Sequence, residues 1–444
     1  MIFRDLSNNI NNYISLDELN KNVLIINGVR QVGKTTAVRL ALERSKKTYI
    51  EINLETNKIL CAQIDKTASF NEFEQVLKRE TNFVASQDTV LFIDEANESY
   101  LLGRYVRQMK EDWPHQTVIL SGSMMNRLFR NPEIRIPVGR YTQMTVHPFS
   151  YAEFIRANEQ IKNPHTKYGL QEIINNPNNL IGLSANDHTT LLILLDQYLL
   201  CGGLPQICTN YLTTAGNSNL TQDFSAYLES IKEDFLKFFS EEYANLFYRA
   251  INSVANTLGG SYKKTALIKN NNRLADNILS VLEGWRLIHK IEQKTHHPES
   301  THSFYPKRFL FDVGLAKHLR ETGLPRISAL ETLDANLREP LGGLIEQMLC
   351  SELLDDHPNV CGFKDKNFEI DFVVKTPFEI IPLECKAALK PNTHQYKALD
   401  IYHSRFNNAK AVIVSLAPYS IVQRNGYTLY HIPLYAIGCW DKLI

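Results

Sequence analysis

Two rhythms of apolar residues divide the chain. Through residues 1 to about 150, short unbroken apolar runs ("VLIIN", "TYIEIN", "VLFID", "VILSG", "TQMTVH") alternate with stretches of helical spacing. Continuous rather than alternating apolar runs mark strands buried on both faces, so the pattern predicts a parallel sheet covered by helices. Residues 151 to 320 read as helical until late, and carry an Asn/Pro-rich stretch, "EIINNPNNLIGLSAND", expected as a surface loop. Residues 321 to 444 return to β-runs ("EIDFVV", "EIIPLECKA", "AKAVIVSLA", "YTLYHIPL") with helices between them. The reading is an α/β chain of three domains, 1–150, 151–320 and 321–444, without internal repeats.

The first run ends in chemistry. "INGVRQVGKTTAVRL" places Gly28, four residues, then Gly33, Lys34 and Thr35 between a buried strand and a helix, the Walker A spacing. Glycines let successive backbone N–H groups face phosphates at a helix N-terminus, where the dipole favours an anion. Lys34 would reach the β- and γ-phosphates of ATP and the Thr35 hydroxyl would ligate Mg²⁺, with Gln31, Val32 and Thr36 completing the cradle. An ordinary glycine turn is the bland alternative. "DTVLFIDEAN" argues against it. Its apolar run ends in Asp94 and Glu95, a Walker B pattern in which Asp94 would hold the Mg²⁺ shell and Glu95 would polarise water. "TVILSGSMM" ends a further run in small polar residues, and Ser123, or with less force Ser121, is a candidate γ-phosphate sensor.

Composition narrows the partners. A chain of 444 residues can bury two or three cores, and its formal net charge is zero, so a nucleic acid or anionic surface must be met by a local patch. Seven scattered cysteines without a C-x-x-C fit reduced thiols in a cytoplasm. The N-terminal "MIFRDLSNNINNYI" has no apolar signal region, and "TLLILLDQYLLCGGLP" is too short to span and carries Asp196. A soluble protein without a membrane partner is expected.

The local patch is in the middle. From Ala244 to Arg320 twelve Lys or Arg stand against five acids, an excess of seven. The order of helix, turn, short helix, turn, helix and strand in this segment is that of a winged helix-turn-helix, which predicts nucleic acid, DNA first, as partner. The alternative is a packing module with solvated lysines. His289, His296, His297 and His302 lack cysteine partners and metal spacing, and read as loop residues.

The last third carries a second constellation. "GGLIEQMLCSELL" is a helix with Glu346, "NFEIDFVV" a strand with Asp371, and "IIPLECKAAL" a strand with Glu384 and Lys386. Residues i and i+2 of a strand share a face, so Glu384 and Lys386 converge and an adjacent strand can bring Asp371 beside them. Asp371 and Glu384 would bind a metal, and Lys386 would act on the attacking water. This order resembles the PD-(D/E)xK nuclease core, and the next helix supplies Gln395 where many such folds keep a glutamine.

Across nearly its whole length the chain resembles AAA-type (AAA+/ASCE) P-loop ATPases of bacteria and archaea in which a winged-helix region and a nuclease-like C-terminal domain follow. The likeness rests on "GVRQVGKTT", "LFIDEAN", "ILSGSMM", "VGRYTQMTVHPFSYAEF", "CGGLPQ", "FLFDVGLAKHL", "GGLIEQMLCSEL", "EIDFVV" and "LECKA". It implies phosphate binding by Gly28, Gly33, Lys34 and Thr35, Mg²⁺ at Asp94, water activation by Glu95 and a γ-phosphate contact by Arg140. "DEAN" departs from the Ile-Gln pair more usual after Walker B. Two functions follow, an ATPase-nuclease acting on DNA, or an ATP-driven switch whose later domains only bind. Whether Arg140 acts within one chain or across a homo-oligomer stays open.

Overall fold

The computed structural model describes residues 2–16, 18–129, 137–162, 169–320, 325–327, 330, 335–356, 359–391 and 393–444. They gather into two compact units, residues 1–147 with 284–286, and residues 148–283 with 287–444.

In the first unit β1 (Val23–Asn27), β2 (Thr48–Asn53), β3 (Thr89–Asp94), β4 (Thr117–Gly122) and β5 (Tyr141–Thr145) form one parallel sheet, ordered β2-β3-β4-β1-β5. The central strands β1, β3 and β4 are buried almost throughout, which is why they read as unbroken apolar runs. Parallel pairing brings every C-terminal strand end to one edge, where Asn27 pairs with Gly122 and Asn53 with Asp94. Strand β4 separates β1 from β3, so the β1 loop and Asp94 stand two strand spacings apart, roughly 10 Å. The helix Lys34–Ser45 buries Ala37, Val38, Ala41 and Leu42 at helical spacing. Elsewhere in the unit Phe73 stacks on Tyr105 at 4.8 Å and Phe70 packs on Trp113 at 4.9 Å.

The second unit opens with helices Tyr151–Lys162, Ala185–Cys201, Pro205–Thr213 and Leu220–Leu236. The Asn/Pro-rich stretch expected as a loop instead forms two short helices, Leu170–Asn175 and Pro177–Leu180. Local caps explain the difference: the Asn176 side chain accepts from the Asn178 N–H ahead of Pro177, and Ser184 accepts from Asp187 to start the next helix. Helices Ala244–Ala255 and Asn272–Gly284 follow, joined through a single turn at Lys264–Ala266. Then β6 (Ile288–Ile291) pairs antiparallel with β8 (Lys307–Leu310).

Between them β7 (Gln293–Lys294) leaves this pair for the edge of a seven-stranded sheet, where Gln293 pairs with Gly362. That sheet is built by β9 (Val360–Lys364), β10 (Glu369–Lys375), β11 (Ile380–Cys385), β12 (Lys410–Ser415), β13 (Ser420–Arg424) and β14 (Tyr427–Pro433) in the order β13-β14-β12-β11-β10-β9-β7. Strands β9, β10 and β11 run antiparallel, whereas β11, β12 and β14 are parallel. Strand β7 therefore stitches the basic segment to the C-terminal sheet.

Asp312 explains two of the motifs. One carboxylate oxygen caps the helix Val313–Leu319 through the Leu315 N–H at 2.8 Å, and the other accepts from Gly203 at 2.7 Å. A Cβ on Gly314 would stand 2.4 Å from the Gly202 nitrogen, so "CGGLP" and "FDVGL" meet backbone to backbone. Burial raises the Asp312 carboxyl to about 6 although its N–H donors oppose the rise. All seven cysteines are free thiols. Among the described residues no helix is long and apolar enough to cross a membrane.

Candidate functional site

At the C-terminal edge of the first sheet the loop after β1 turns into the helix Lys34–Ser45. Gly33 takes a left-handed conformation (φ 87°), and no side chain caps the helix start, so its first N–H groups have no side-chain acceptor there. A Cβ on Gly28 would meet the Val146 carbonyl at 2.4 Å, which restricts this position to glycine. Gln31 is left-handed without being glycine (φ 64°), as is Glu95 (φ 49°). Such backbones cost of order 1 kcal/mol or more and collect at functional sites.

The side chains converge as the spacing requires. Lys34 is buried, and its ammonium donates to the Gly28 and Val29 carbonyls at 3.2 and 3.0 Å. Burial pulls its pKa below the ordinary lysine value, while Glu95 and Asp94 oppose the fall. The Thr35 hydroxyl donates to Asp94 Oδ2 at 2.8 Å. The other Asp94 oxygen accepts from the Ser121 hydroxyl, and Asn53 reaches Oδ2 at 3.3 Å. Burial raises the Glu95 carboxyl, Lys34 pulls it back, and Asp94 adds to the rise, which is the direction a general base needs. Val32 is buried, and its carbonyl accepts from Arg4 at 2.8 Å. Thr36 lies in the first turn of the loop helix.

This edge fits Mg²⁺-ATP. It presents a helix start without a side-chain cap, a buried ammonium donating to neutral carbonyls, and a carboxylate paired with a threonine hydroxyl. Phosphate oxygens carry full negative charge, so they would attract the Lys34 ammonium more strongly than neutral carbonyls do.

Other candidates fall differently. Ser123 lies just past β4, whereas Ser121 is the serine bonded to Asp94. Asn97 of "DEAN" is buried against Gly122 and accepts from the Met124 N–H. Arg140 precedes β5, whose Tyr141 pairs with Val23 at the start of β1, so it stands at the opposite sheet edge, about 15 Å of strand from the loop. There it pairs with Glu111 at 2.8 Å. This geometry excludes contact with a γ-phosphate bound to its own chain.

Sequence reasoning missed Arg4 and Asn53. Arg4 is buried and links the Val32 carbonyl to that of His147 at 2.6 Å. Asn53 had a readable signal, being the polar last residue of an apolar run, as Asp94 is.

In the second unit Glu346, on the helix Ala335–Asp356, lies near Asp371 of β10, and Glu384 of the adjacent β11 accepts from the Asp371 N–H at 3.3 Å. What joins them was not expected. Lys307 of β8, only 1% exposed, places its ammonium 2.9 Å from Asp371, 3.1 Å from Glu346 and 3.1 Å from Glu369. Lys386 lies 2.5 Å from Glu384 and 4.0 Å from Asp371, and Lys364 holds Glu369 at 2.7 Å. The second Asp371 oxygen accepts from the Cys385 N–H at 3.0 Å.

Burial opposes the Lys307 charge, yet Asp371, Glu346 and Glu369 hold its pKa well above the ordinary value. Burial likewise works against ionised Asp371, but Lys307 and Lys386 hold its carboxyl below the usual range. Burial and then Asp371 raise Glu346 to about 7 and Glu384 to about 8. Among the described residues no group of three His, Cys, Asp or Glu is arranged to hold a metal ion. The expected metal ligands Asp371 and Glu384 are thus met by ammonium and amide groups instead. Gln395 lies in the turn Thr393–Tyr396 rather than in the helix that follows.

The basic segment is also less free than its composition suggests. Lys307 and Arg308 are buried, Arg308 on Glu283 at 3.0 Å, and Lys264 is paired with Asp276 at 2.8 Å. Arg249, Lys263, Lys269, Arg273 and Lys290 are exposed, three of them (Lys263, Lys269, Arg273) around the start of the helix Asn272–Gly284. That helix buries Ala275, Ile278, Leu279, Val281 and Leu282 and exposes Arg273, Asn277 and Ser280.

Residues 20–155 match the family described as AAA domain. This part of the chain is a P-loop domain of the AAA type. Residues 193–326 match a domain of unknown function (DUF8612), and residues 341–435 another (DUF4143). No curated protein matches the chain. Among solved structures, the Thermotoga maritima RuvB Holliday junction branch migration motor is 15% identical, with TM-score 0.28 over 64% of this chain and 89% of that one. A point variant of the same protein gives 16% identity and TM-score 0.28 over 64% and 89%.

Proposed function

We propose that this chain is a Mg²⁺-dependent ATPase that uses the nucleotide cycle of its first unit as a switch, and that its second unit engages nucleic acid. The observation that carries the ATPase reading is the Thr35–Asp94 hydrogen bond of 2.8 Å beside buried Lys34. The loop N–H groups and Lys34 would hold the phosphates, and Thr35 and Asp94 the metal; bound Mg²⁺-ATP supplies the transferable phosphoryl group. Glu95, half-buried on a strained backbone, orients water and takes its proton, while Ser121 and Asn53 fix the Asp94 carboxylate. Nucleotide binding and turnover of Lys34→Ala and Glu95→Gln test the reading. Wild-type turnover in Glu95→Gln would remove the base from it.

Nucleic-acid engagement is supported by exposed Lys263, Lys269 and Arg273 around a helix with polar residues on its free face, ahead of an antiparallel strand pair. Neutralised phosphates release counterions, so affinity should fall steeply with salt, and Lys269→Glu with Arg273→Glu should lower the slope of log K against log salt by about 0.9 for each phosphate lost. Affinity indifferent to salt would point to a packing role.

A second reading, a metal-dependent nuclease, is favoured by the convergence of Glu346, Asp371, Glu384 and Lys386 from one helix and two adjacent strands. Cleavage of DNA and RNA forms with Mg²⁺ or Mn²⁺ tests it. The neutralising lysines favour the switch.

A further inference from the structure

The carboxylates of the second unit have the residue types of a cation site, and a cation is already there. Oxygens of Glu346, Glu369 and Asp371, carried by a helix and a strand, meet at one point, the Lys307 ammonium, at 2.9 to 3.1 Å. Lys307 comes from β8, outside the elements that carry the acids, and is buried by a strand whose four residues are all inaccessible. A divalent ion requires such oxygens at about 2.0 to 2.6 Å, so an ion and this ammonium cannot share the position.

Charge points the same way. Four acids (Glu346, Glu369, Asp371, Glu384) face three ammonium groups (Lys307, Lys364, Lys386), each within ion-pair distance. Adding a divalent ion beside three lysines would turn the formal charge of the buried cluster from −1 to +1 and crowd four cations around the same acids, which a low-dielectric site resists. Taking Lys307 away leaves four acids against two lysines, the imbalance that a divalent ion corrects.

We infer that Lys307 is a tethered counter-cation that occupies the divalent-ion position of this cluster and keeps it free of metal. Lysine entry and metal entry are mutually exclusive, and β8, a strand of the basic segment, carries the excluding group. The inference rests on the nuclease-like reading only for the identity of the excluded ion.

The test counts Mn²⁺ bound to the full chain, by calorimetry and by the Mn²⁺ electron paramagnetic resonance signal. Metal at Asp94 is common to all variants and cancels in the comparison. Wild type should have no Mn²⁺ site sensitive to Asp371→Asn. Lys307→Met should gain about one Mn²⁺ per chain, and adding Asp371→Asn should abolish it. Lys307→Met leaves buried acids uncompensated, so Lys307→Met with Glu369→Gln restores one charge and keeps Glu346, Asp371 and Glu384. A folded double variant that gains no Mn²⁺ overturns the inference. So does a wild-type Mn²⁺ site that Asp371→Asn removes, a result readable even if the Lys307 variants fail to fold. Cleavage is scored separately: a variant that binds Mn²⁺ and cuts nothing would sink the nuclease reading while leaving Lys307's role intact.

Discussion

The nucleotide edge of the first unit and the carboxylate cluster of the second are built from the same materials, acids and lysines on strands and helices, yet they are finished in opposite ways. At the edge, Asp94 is held by hydroxyl and amide groups of Thr35, Ser121 and Asn53, and Lys34 by neutral carbonyls. Among the described residues neither is held in a direct ion pair, so both keep their best interaction for a ligand. In the cluster, Asp371, Glu346, Glu369 and Glu384 are each met by an ammonium within 3.1 Å. Residue types on strands and helices therefore predict where charge collects, but the origin of the countercharge decides whether the site is open to a ligand.

The comparison breaks most visibly at the edge. Lys34→Ala should abolish ATP binding, and Glu95→Gln should retain binding and lose turnover by about 10²- to 10⁴-fold, the usual contribution of a positioned base. Calorimetric ATP affinity and phosphate release separate the two. If Glu95→Gln lost binding as well, the strained Glu95 backbone would be serving the loop's shape rather than the water.

Lys307→Met is the corresponding break in the cluster. Removing one partner of a buried ion network strands the others, at a cost of about 3–5 kcal/mol, whereas Lys34→Ala should leave stability nearly unchanged or raise it. Denaturant melts of the two variants side by side measure the contrast. Equal stability would mean that water already screens the acids around Lys307.

How much of this was legible follows from range. The first sheet was readable because β1, β3 and β4 are buried on both faces and show it as apolar runs, and the loop because glycines and Lys34 sit within eight residues. Lys307 was hidden for the complementary reason. Its partners Glu346 and Asp371 lie 39 and 64 positions away, and by composition it was one more lysine of a basic segment. A local signal did exist: in "KRFL" Lys307 shares a strand face with Phe309 and Arg308 with Leu310, so neither face of β8 is a solvent face. The place of Arg140 was hidden in another way, since "GRYTQM" reveals a strand start but not which edge of the sheet that start occupies.

The cluster also gives a pH signature of its own. Glu346 at about 7 and Glu384 at about 8 retain protons in the folded chain that the unfolded chain releases near the ordinary glutamate value, about 4.3. The folded state binds more protons between those limits, so this contribution is complete below about pH 4.3 and is lost as pH rises through about 8. The slope reaches at most ~1.4 kcal/mol per pH unit for each proton retained. Melting temperature from about pH 5 to about 8 should fall more steeply in wild type than in Glu384→Gln, whose amide cannot titrate. Parallel curves would place the Glu384 carboxylate in the ionised state throughout.

Arg140→Ala should have the smallest effect and sharpens the comparison from the other side. Arg140 and Glu111 form an exposed pair at the sheet edge away from the loop, and exposed pairs of this kind contribute little. Melting temperature and ATP affinity of dilute protein should not change. Because about 15 Å of strand separates Arg140 from its own loop, a direct phosphate contact would have to be made to a second copy. Two measurements check this: turnover against protein concentration, and turnover of Arg140→Ala mixed with Lys34→Ala. A concentration-dependent loss, restored on mixing, would assign Arg140 to a neighbour's phosphates. Loss at every concentration without restoration would mean that Arg140 acts through β5 on the loop that β1 carries. Unchanged turnover throughout would leave it a surface ion pair, and phosphate binding at the edge would then rest on Lys34 and the loop N–H groups.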